Sequence, residues 1–566
     1  MLAKKRQRIG FILTFCIILS MVLSACAAPV VPAAPAPAAE SGSGEQAAAA
    51  PGARALPDDA AEDQTLRYVT RNFNRLNPAS EGGFGRPWIS FMWMTMFLND
   101  RENNIKPWLA TDYAVSEDGL SYTINIHPGA VWSDGSPVLA QEAVDYWTYG
   151  LSPKCTGCWL SYVSGFSLIE GAKGVIDGSA ETVSGLKAVD EKTLEIKLES
   201  PSPTFINNLA HFNTGFMKME DVGEDEFSAG PDTRVNGPFK IEEWDVDAQK
   251  HVLVQNPAWW GDPKPYIQRI IAQPSQDENV SFIMWQNDEV DIAHWLSNIR
   301  QPLRETEPES FVQIPYATNF FFPFWTSLEP MDDINVRKAL VHAVDWDAAI
   351  NAAWEGARNE RVMKTHLTPE LACFKADNWP DFGYNPEKAK EELAASKYGS
   401  AENLPKIRIT VGGQSPNYIR TAEIVMEQWK NNLGITDVEM RPGTLADAWG
   451  QEADQVQVRR SSWGATIPLP GDMVAGLYKW ASTPENVGLV DEELGAMVDE
   501  LRTIAPDAAD YCEKVQAVEN RLLGHYYFMP MIWDLYEYNV KPWVKNFDTN
   551  VDNNWTGLLD MYIAEH

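Results

Sequence analysis

The stretch VWSDGSPVLAQEAVDYW, residues 131–147, sets Trp132, Ser133, Asp134 and Gly135 in a row and then turns periodic. It is either a catalytic centre or a turn that starts a helix. Ser133-Asp134-Gly135 is turn chemistry: an Asp side chain bonds the backbone ahead of it, and Gly tolerates positive φ. After Pro137, Ala140, Ala143, Val144 and Trp147 share one face of a helix over Ala140 to Tyr149. Asp134 as an acid or base would want a convergent carboxylate or imidazole, and the sequence supplies none nearby. The stretch reads as strand, turn and helix. Leu139, just before the helix, has no side-chain acceptor, which forgoes a cap worth about 1 kcal/mol unless another group supplies it.

The same mixture continues outward. Leu66–Thr70, Ser121–Ile126, Thr193–Leu198, Val252–Gln255, Ile267–Ile271 and Ile407–Val411 read as strands. Helices are expected over Trp88–Leu98, Val336–Ile350, Pro386–Ala395, Leu494–Ile504 and Ala508–Leu523, and over Tyr418–Leu433, which Gly434 stops. Alternating strands and helices point to α/β lobes. A chain of 566 residues is too long for one core, so two or more lobes are expected.

The charge balance is acidic, 46 Lys plus Arg against 79 Asp plus Glu. A nucleic-acid backbone would be repelled, so no nucleic-acid partner is expected.

Lys4, Lys5, Arg6 and Arg8 precede an apolar run from Ile9 to Leu23. That run is shorter than the roughly twenty residues of a spanning helix and fits a signal peptide over 1–25. Leu23-Ser24-Ala25-Cys26 resembles a bacterial lipoprotein cleavage site, which makes Cys26 the lipid-bearing first residue of the mature chain; the alternative is an ordinary signal peptide. Residues 26–60 are rich in Ala and Pro and read as a disordered tether.

Cys155, Cys158, Cys373 and Cys512 remain for disulfides, with three possible pairings. Cys155-Thr-Gly-Cys158 lacks the second pair a zinc site would want, and it follows a loop rather than opening a helix as a redox motif does. A local disulfide is the expectation. No HExxH, GxSxG or Gly-rich phosphate loop is present. Ser184-Gly185-Leu186-Lys187 matches SxxK without its partner motifs. No catalytic residue, cofactor or metal ligand is assigned; the eight His form no HxH or HxxxH pair.

Several segments together resemble one family, the extracytoplasmic solute-binding proteins of ABC importers, family 5, of the oligopeptide/dipeptide/nickel type. They are Lys106-Pro107-Trp108-Leu109-Ala110, Asp118-Gly119-Leu120-Ser121-Tyr122-Thr123 and Trp132-Ser133-Asp134-Gly135-Ser136-Pro137. Asn236-Gly237-Pro238-Phe239 with Asn256-Pro257-Ala258-Trp259-Trp260 follows, then Val336-Arg337-Lys338-Ala339-Leu340 with Ala343 and Asp345. The resemblance implies a two-lobed, type II periplasmic-binding-protein-like α/β fold with an extra subdomain and a ligand cleft between lobes. On that reading 61–100, 200–314 and 536–566 form lobe I, 101–199 the attached subdomain, and 315–535 lobe II. It also implies a monomer on the extracytoplasmic face, in the periplasm or at the cell surface, that delivers its solute to a membrane permease with ATPase subunits.

Relatives of the peptide-binding type hold the peptide's amine with an Asp in a W-x-x-D-Y stretch. The matching run here is Trp463-Gly464-Ala465-Thr466, with Thr466 where the Asp would stand. Asp472 could substitute. An oligopeptide is the expected ligand; an oligosaccharide, suited to the abundant aromatics, is the alternative. A lipid-anchored sensor or adhesin without a transporter is the other. Phe73, Asn74, Trp463 and Thr466 are the expected cleft residues, followed by Trp93 and Trp88, whose run, Trp88–Leu98, reads equally as a plain core helix.

Overall fold

The computed structural model describes residues 54–70, 77–80, 86–100, 104–163, 165–222, 230–245, 247–248, 250–275, 277–294, 305–355, 361–378, 383–412, 415–441, 456–465, 467–483, 486–548 and 557–566. The signal peptide, Cys26 and most of the expected tether lie outside them. Among the described residues no helix is long and apolar enough to cross a membrane.

The opening stretch forms the expected turn. Asp134 Oδ1 accepts from the Ser136 N–H at 2.8 Å and its hydroxyl at 2.6 Å, and Gly135 sits at φ +84°. The helix that follows is Ala140–Leu151. Leu139 contributes no side-chain cap, and Glu142 in the first turn reaches back to take the Leu139 N–H, the other half of a capping box. Glu142 Oε2 accepts from the Leu139 N–H and from Trp132 Nε1, each at 2.8 Å, while Lys218 pairs with Oε1 at 3.0 Å. The Glu191 carbonyl takes the Ala140 N–H at 2.9 Å. Trp132 and Trp147 are wholly buried.

This helix packs beside a four-stranded antiparallel sheet, ordered Ala110–Val115, Ser121–Ile126, Thr193–Lys197, Leu186–Ala188. Tyr122, Ile124 and Ile126 point into the core, as the alternation predicted. The sheet's core is continuous with that of the first lobe.

The main sheet has eight strands, ordered Ser461–Gly464, Phe311–Pro323, Phe528–Val540, Ile292–His294, Thr65–Thr70, Arg269–Pro274, Lys250–Gln255, Phe239–Asp245. Thr65–Thr70 runs parallel to both its neighbours. Phe311–Pro323 and Phe528–Val540 are the two 13-residue strands, antiparallel to each other. They cross between two hydrophobic cores. One core gathers residues from Leu66 to Ile292 and again from Tyr536 to Ile563; the other gathers Ala317 to Trp533. The second core also wraps a three-stranded parallel sheet, Val438–Arg441, Ile407–Thr410, Val458–Arg459.

Three sequence readings need correction. The Trp88–Leu98 run is not one helix: the helix is Arg86–Met92, and Phe97–Asn99 pairs with Ile105–Pro107 as a hairpin. The Met92 carbonyl is taken by the Asn236 and Gly237 N–H groups, at 3.1 and 2.8 Å, and Asn236 Oδ1 takes the Met94 N–H, so the helix cannot continue. The Val336–Ile350 helix is two, Ile334–His342 and Trp346–Ala353. The Ile267–Ile271 strand is shifted to Arg269–Pro274. Cys155 is bonded to Cys158 and Cys373 to Cys512.

Candidate ligand cleft

The crossing strands build the site from the middle outward. Gln313 Nε2 on the first donates to Glu537 Oε1 on the second at 2.8 Å, on the first-lobe side. On the second-lobe side Thr318–Phe321 pairs with the edge strand Ser461–Gly464. Trp463 stands on that edge strand opposite Asn319. It is half-buried: Nε1 donates to the Met473 carbonyl at 3.2 Å, and its ring lies 6.2 Å from that of Trp480. A side chain at Gly476 would strike this ring, so the indole lies close against the Pro470–Ser482 helix. Beside it the buried Arg460 donates to the Val411 carbonyl at 2.8 Å and lies 4.6 Å above the Tyr418 ring.

A recess with about 480 Å³ of empty space, partly open to solvent, has walls from both halves of the chain. Ser202, Thr204 and Asn208 line it from the first-lobe side; Asp472, Arg502 and Tyr511 line it from the second. Asp472 lies in the first turn of the Pro470–Ser482 helix, where the dipole favours a carboxylate, and its Oδ2 accepts the Ile467 N–H at 3.2 Å. Tyr511 OH accepts the Gly471 N–H at 3.1 Å, and burial raises the phenol's pKa, keeping it neutral. The arrangement offers a carboxylate, a guanidinium, hydroxyls and an amide across a gap. It can hold a polar solute by both walls. Nothing in the spacing of residues 202–208 and 472–511 announced this meeting; only the fold brings them together.

Of the expected cleft residues, Phe73, Asn74 and Thr466 lie outside the described residues, as does the side chain of Trp88. Trp93 is wholly buried, donates from Nε1 to the Arg234 carbonyl at 3.1 Å, and lines a separate recess with Phe91, Trp108, Phe212 and Pro238. Ser184 is not placed for catalysis: its hydroxyl bonds the Glu170 carbonyl at 3.2 Å in an exposed turn. His366, which burial shifts well downward, and Tyr527, which it shifts well upward, bond each other at 2.7 Å inside the second core. Among the described residues no three His, Cys, Asp or Glu side chains converge to hold a metal ion.

Two cores joined by a pair of crossing strands, with a recess walled from both sides, define the two-lobed, type II solute-binding fold, the cleft lying between the lobes. The family model described as bacterial extracellular solute-binding proteins, family 5 (middle), matches residues 104–484, and the chain belongs to this family. It is a family of binding proteins rather than enzymes. The chain is 29% identical to the oligopeptide-binding protein OppA of Bacillus subtilis over 358 residues, 59% of this chain and 62% of that protein. It is 26% identical to the periplasmic murein peptide-binding protein MppA of Escherichia coli over 534 residues, 90% and 94% of the two chains. A solved structure of that Escherichia coli murein tripeptide-binding protein superposes with a TM-score of 0.77 at 24% identity, covering 90% of this chain and all of that one.

Proposed function

We propose that this chain captures an oligopeptide between its lobes and hands it to the permease of an ABC importer, held to the membrane by lipid on Cys26. The lobes on this reading are 61–100 with 200–314 and 536–566, carrying the 101–199 subdomain, and 315–535. The observation that carries the reading is the recess walled by Ser202, Thr204 and Asn208 on one side and Asp472, Arg502 and Tyr511 on the other. A solute that touches both walls does so only when the lobes are shut, so its binding energy favours the shut form by that difference. Asp472 is the carboxylate best placed to take a peptide's amine in a chain whose W-x-x-D position is Thr466. The relatives named for peptides support the ligand class.

A thermal-shift screen of peptides, oligosaccharides and metal chelates tests it. Peptides at a hundredfold over Kd should stabilise the chain by about 2.7 kcal/mol. Asp472→Asn should reduce that shift while the unliganded melting temperature stays close to wild type; Trp463→Ala should reduce it too, with a lower unliganded melting temperature because the indole packs against the Pro470–Ser482 helix. A response to sugars only would end the peptide reading, and a collapse of the Trp463→Ala fold would move that ring from the cleft to the core.

A further inference from the structure

The ladder between the two crossing strands breaks where they pass from one core to the other. Pro315 pairs with Leu535 and Asn319 with Trp533, so residues 316–318 face Asp534 alone. A break of this kind frees backbone carbonyls. Here Arg361 takes them: Nε donates to the Trp533 carbonyl at 3.3 Å and Nη2 to the Asp534 carbonyl at 3.0 Å. Its Nη1 pairs with Glu370 at 2.6 Å, and both side chains are largely buried. The backbone after Arg361 follows the same strand. Val362 bridges Ile532, the Met363 N–H donates to the Met531 carbonyl at 3.1 Å, and Trp533 Nε1 donates to the Thr365 carbonyl at 2.9 Å. The second lobe thus grips the strand up to Trp533, and the Arg361 fork carries that grip one residue further, to Asp534 opposite the bulge.

We propose that Arg361 is a positioning residue for lobe closure, its guanidinium pinning the Trp533–Asp534 backbone opposite the bulged residues 316–318 and so limiting the angles the lobes can take. A planar fork anchored by a carboxylate fixes direction as well as distance, whereas water at the same carbonyls would not. A few residues absorb the backbone change in a hinge, so restraining two of them restrains the whole motion. The role holds whatever solute the cleft takes and needs no ligand to be tested.

The test is a distance measurement between spin labels on the unliganded chain. Val115→Cys and Val490→Cys place labels at exposed sites on the two sides, and Glu423→Cys with Val490→Cys places both within the second lobe. Arg361→Gln combined with Glu370→Gln removes the fork without stranding a buried charge. It should broaden and shift the distribution between lobes and leave the one within the second lobe unchanged. Arg361→Lys keeps a cation beside Glu370, but a single flexible Nζ lacks the rigid planar fork that holds both carbonyls and the carboxylate in fixed directions, so it should broaden the first distribution too. An unchanged interlobe distribution in the double variant overturns the proposal. So does broadening of the within-lobe pair, which would make Arg361 an ordinary fold residue, and so does a wild-type distribution in Arg361→Lys, which would assign the effect to the ion pair.

Discussion

His251 lies wholly buried in the Lys250–Gln255 strand, its ring stacked 3.6 Å from that of Trp244. Burial pushes its imidazole down to about 4, from an ordinary value near 6.5. The unfolded chain takes up this proton near pH 6.5 and the folded chain only near 4. The stabilisation is therefore complete above 6.5 and is lost as the pH falls toward 4, by up to about 3 kcal/mol. His251→Phe keeps the stack and removes the titration. Its urea midpoint should fall less than the wild type's between pH 7 and 4.5, and parallel curves would show that the imidazole does not carry the effect. At this scale the sequence was readable where chemistry is local, as at Asp134, whose turn needs only Ser136 and Gly135. It was silent where the partner is distant. The missing side-chain cap at Leu139 is offset by Glu142, three residues on, whose carboxylate takes the Leu139 N–H, and Lys218 and Trp132 hold that carboxylate in place.

Elements followed the same rule. Strands with clear alternation, such as Ser121–Ile126, and helices with strong end signals, such as Pro386–Ala395, stand where periodicity puts them. The Val336–Ile350 pattern concealed a break, because both halves bury the same kind of residue. Asp345 makes the break. Its Oδ1 accepts the Ala348 N–H at 3.0 Å and its own N–H donates to Gln428 Oε1 at 2.7 Å, while Asn432 Nδ2 takes the Ala343 carbonyl at 2.8 Å. The Pro416–Leu433 helix thus specifies the corner from outside. Asp345→Ala should cost about 1 kcal/mol of stability as a lost N-cap. If the corner were a plain continuation of one helix, Ala would instead be neutral or stabilising in a chemical denaturation curve.

For the whole molecule, the blocks from Lys106 to Asp345 carried the family, and the fold followed from it; the recess was not legible, because it joins segments far apart in sequence. What the molecule adds is a division of labour between two cores. Cys373–Cys512 closes a separation of 139 residues, and both ends belong to the second lobe; Cys155–Cys158 closes a separation of 3 beside the first core. In a chain-entropy account the long closure is worth about 5 kcal/mol and the short one under about 2. Reduction should therefore act on one lobe. Calorimetry of the unliganded chain should resolve two transitions, and replacing Cys373 and Cys512 by Ala should lower one of them by roughly 10 °C. Replacing Cys155 and Cys158 should move the other only slightly. A solute gripped by both lobes binds only the state in which both are folded, so it should draw the two transitions together. A single transition that reduction shifts as a block would mean that the crossing strands weld the cores into one cooperative unit, and the hinge would then have to bend without either lobe gaining independence.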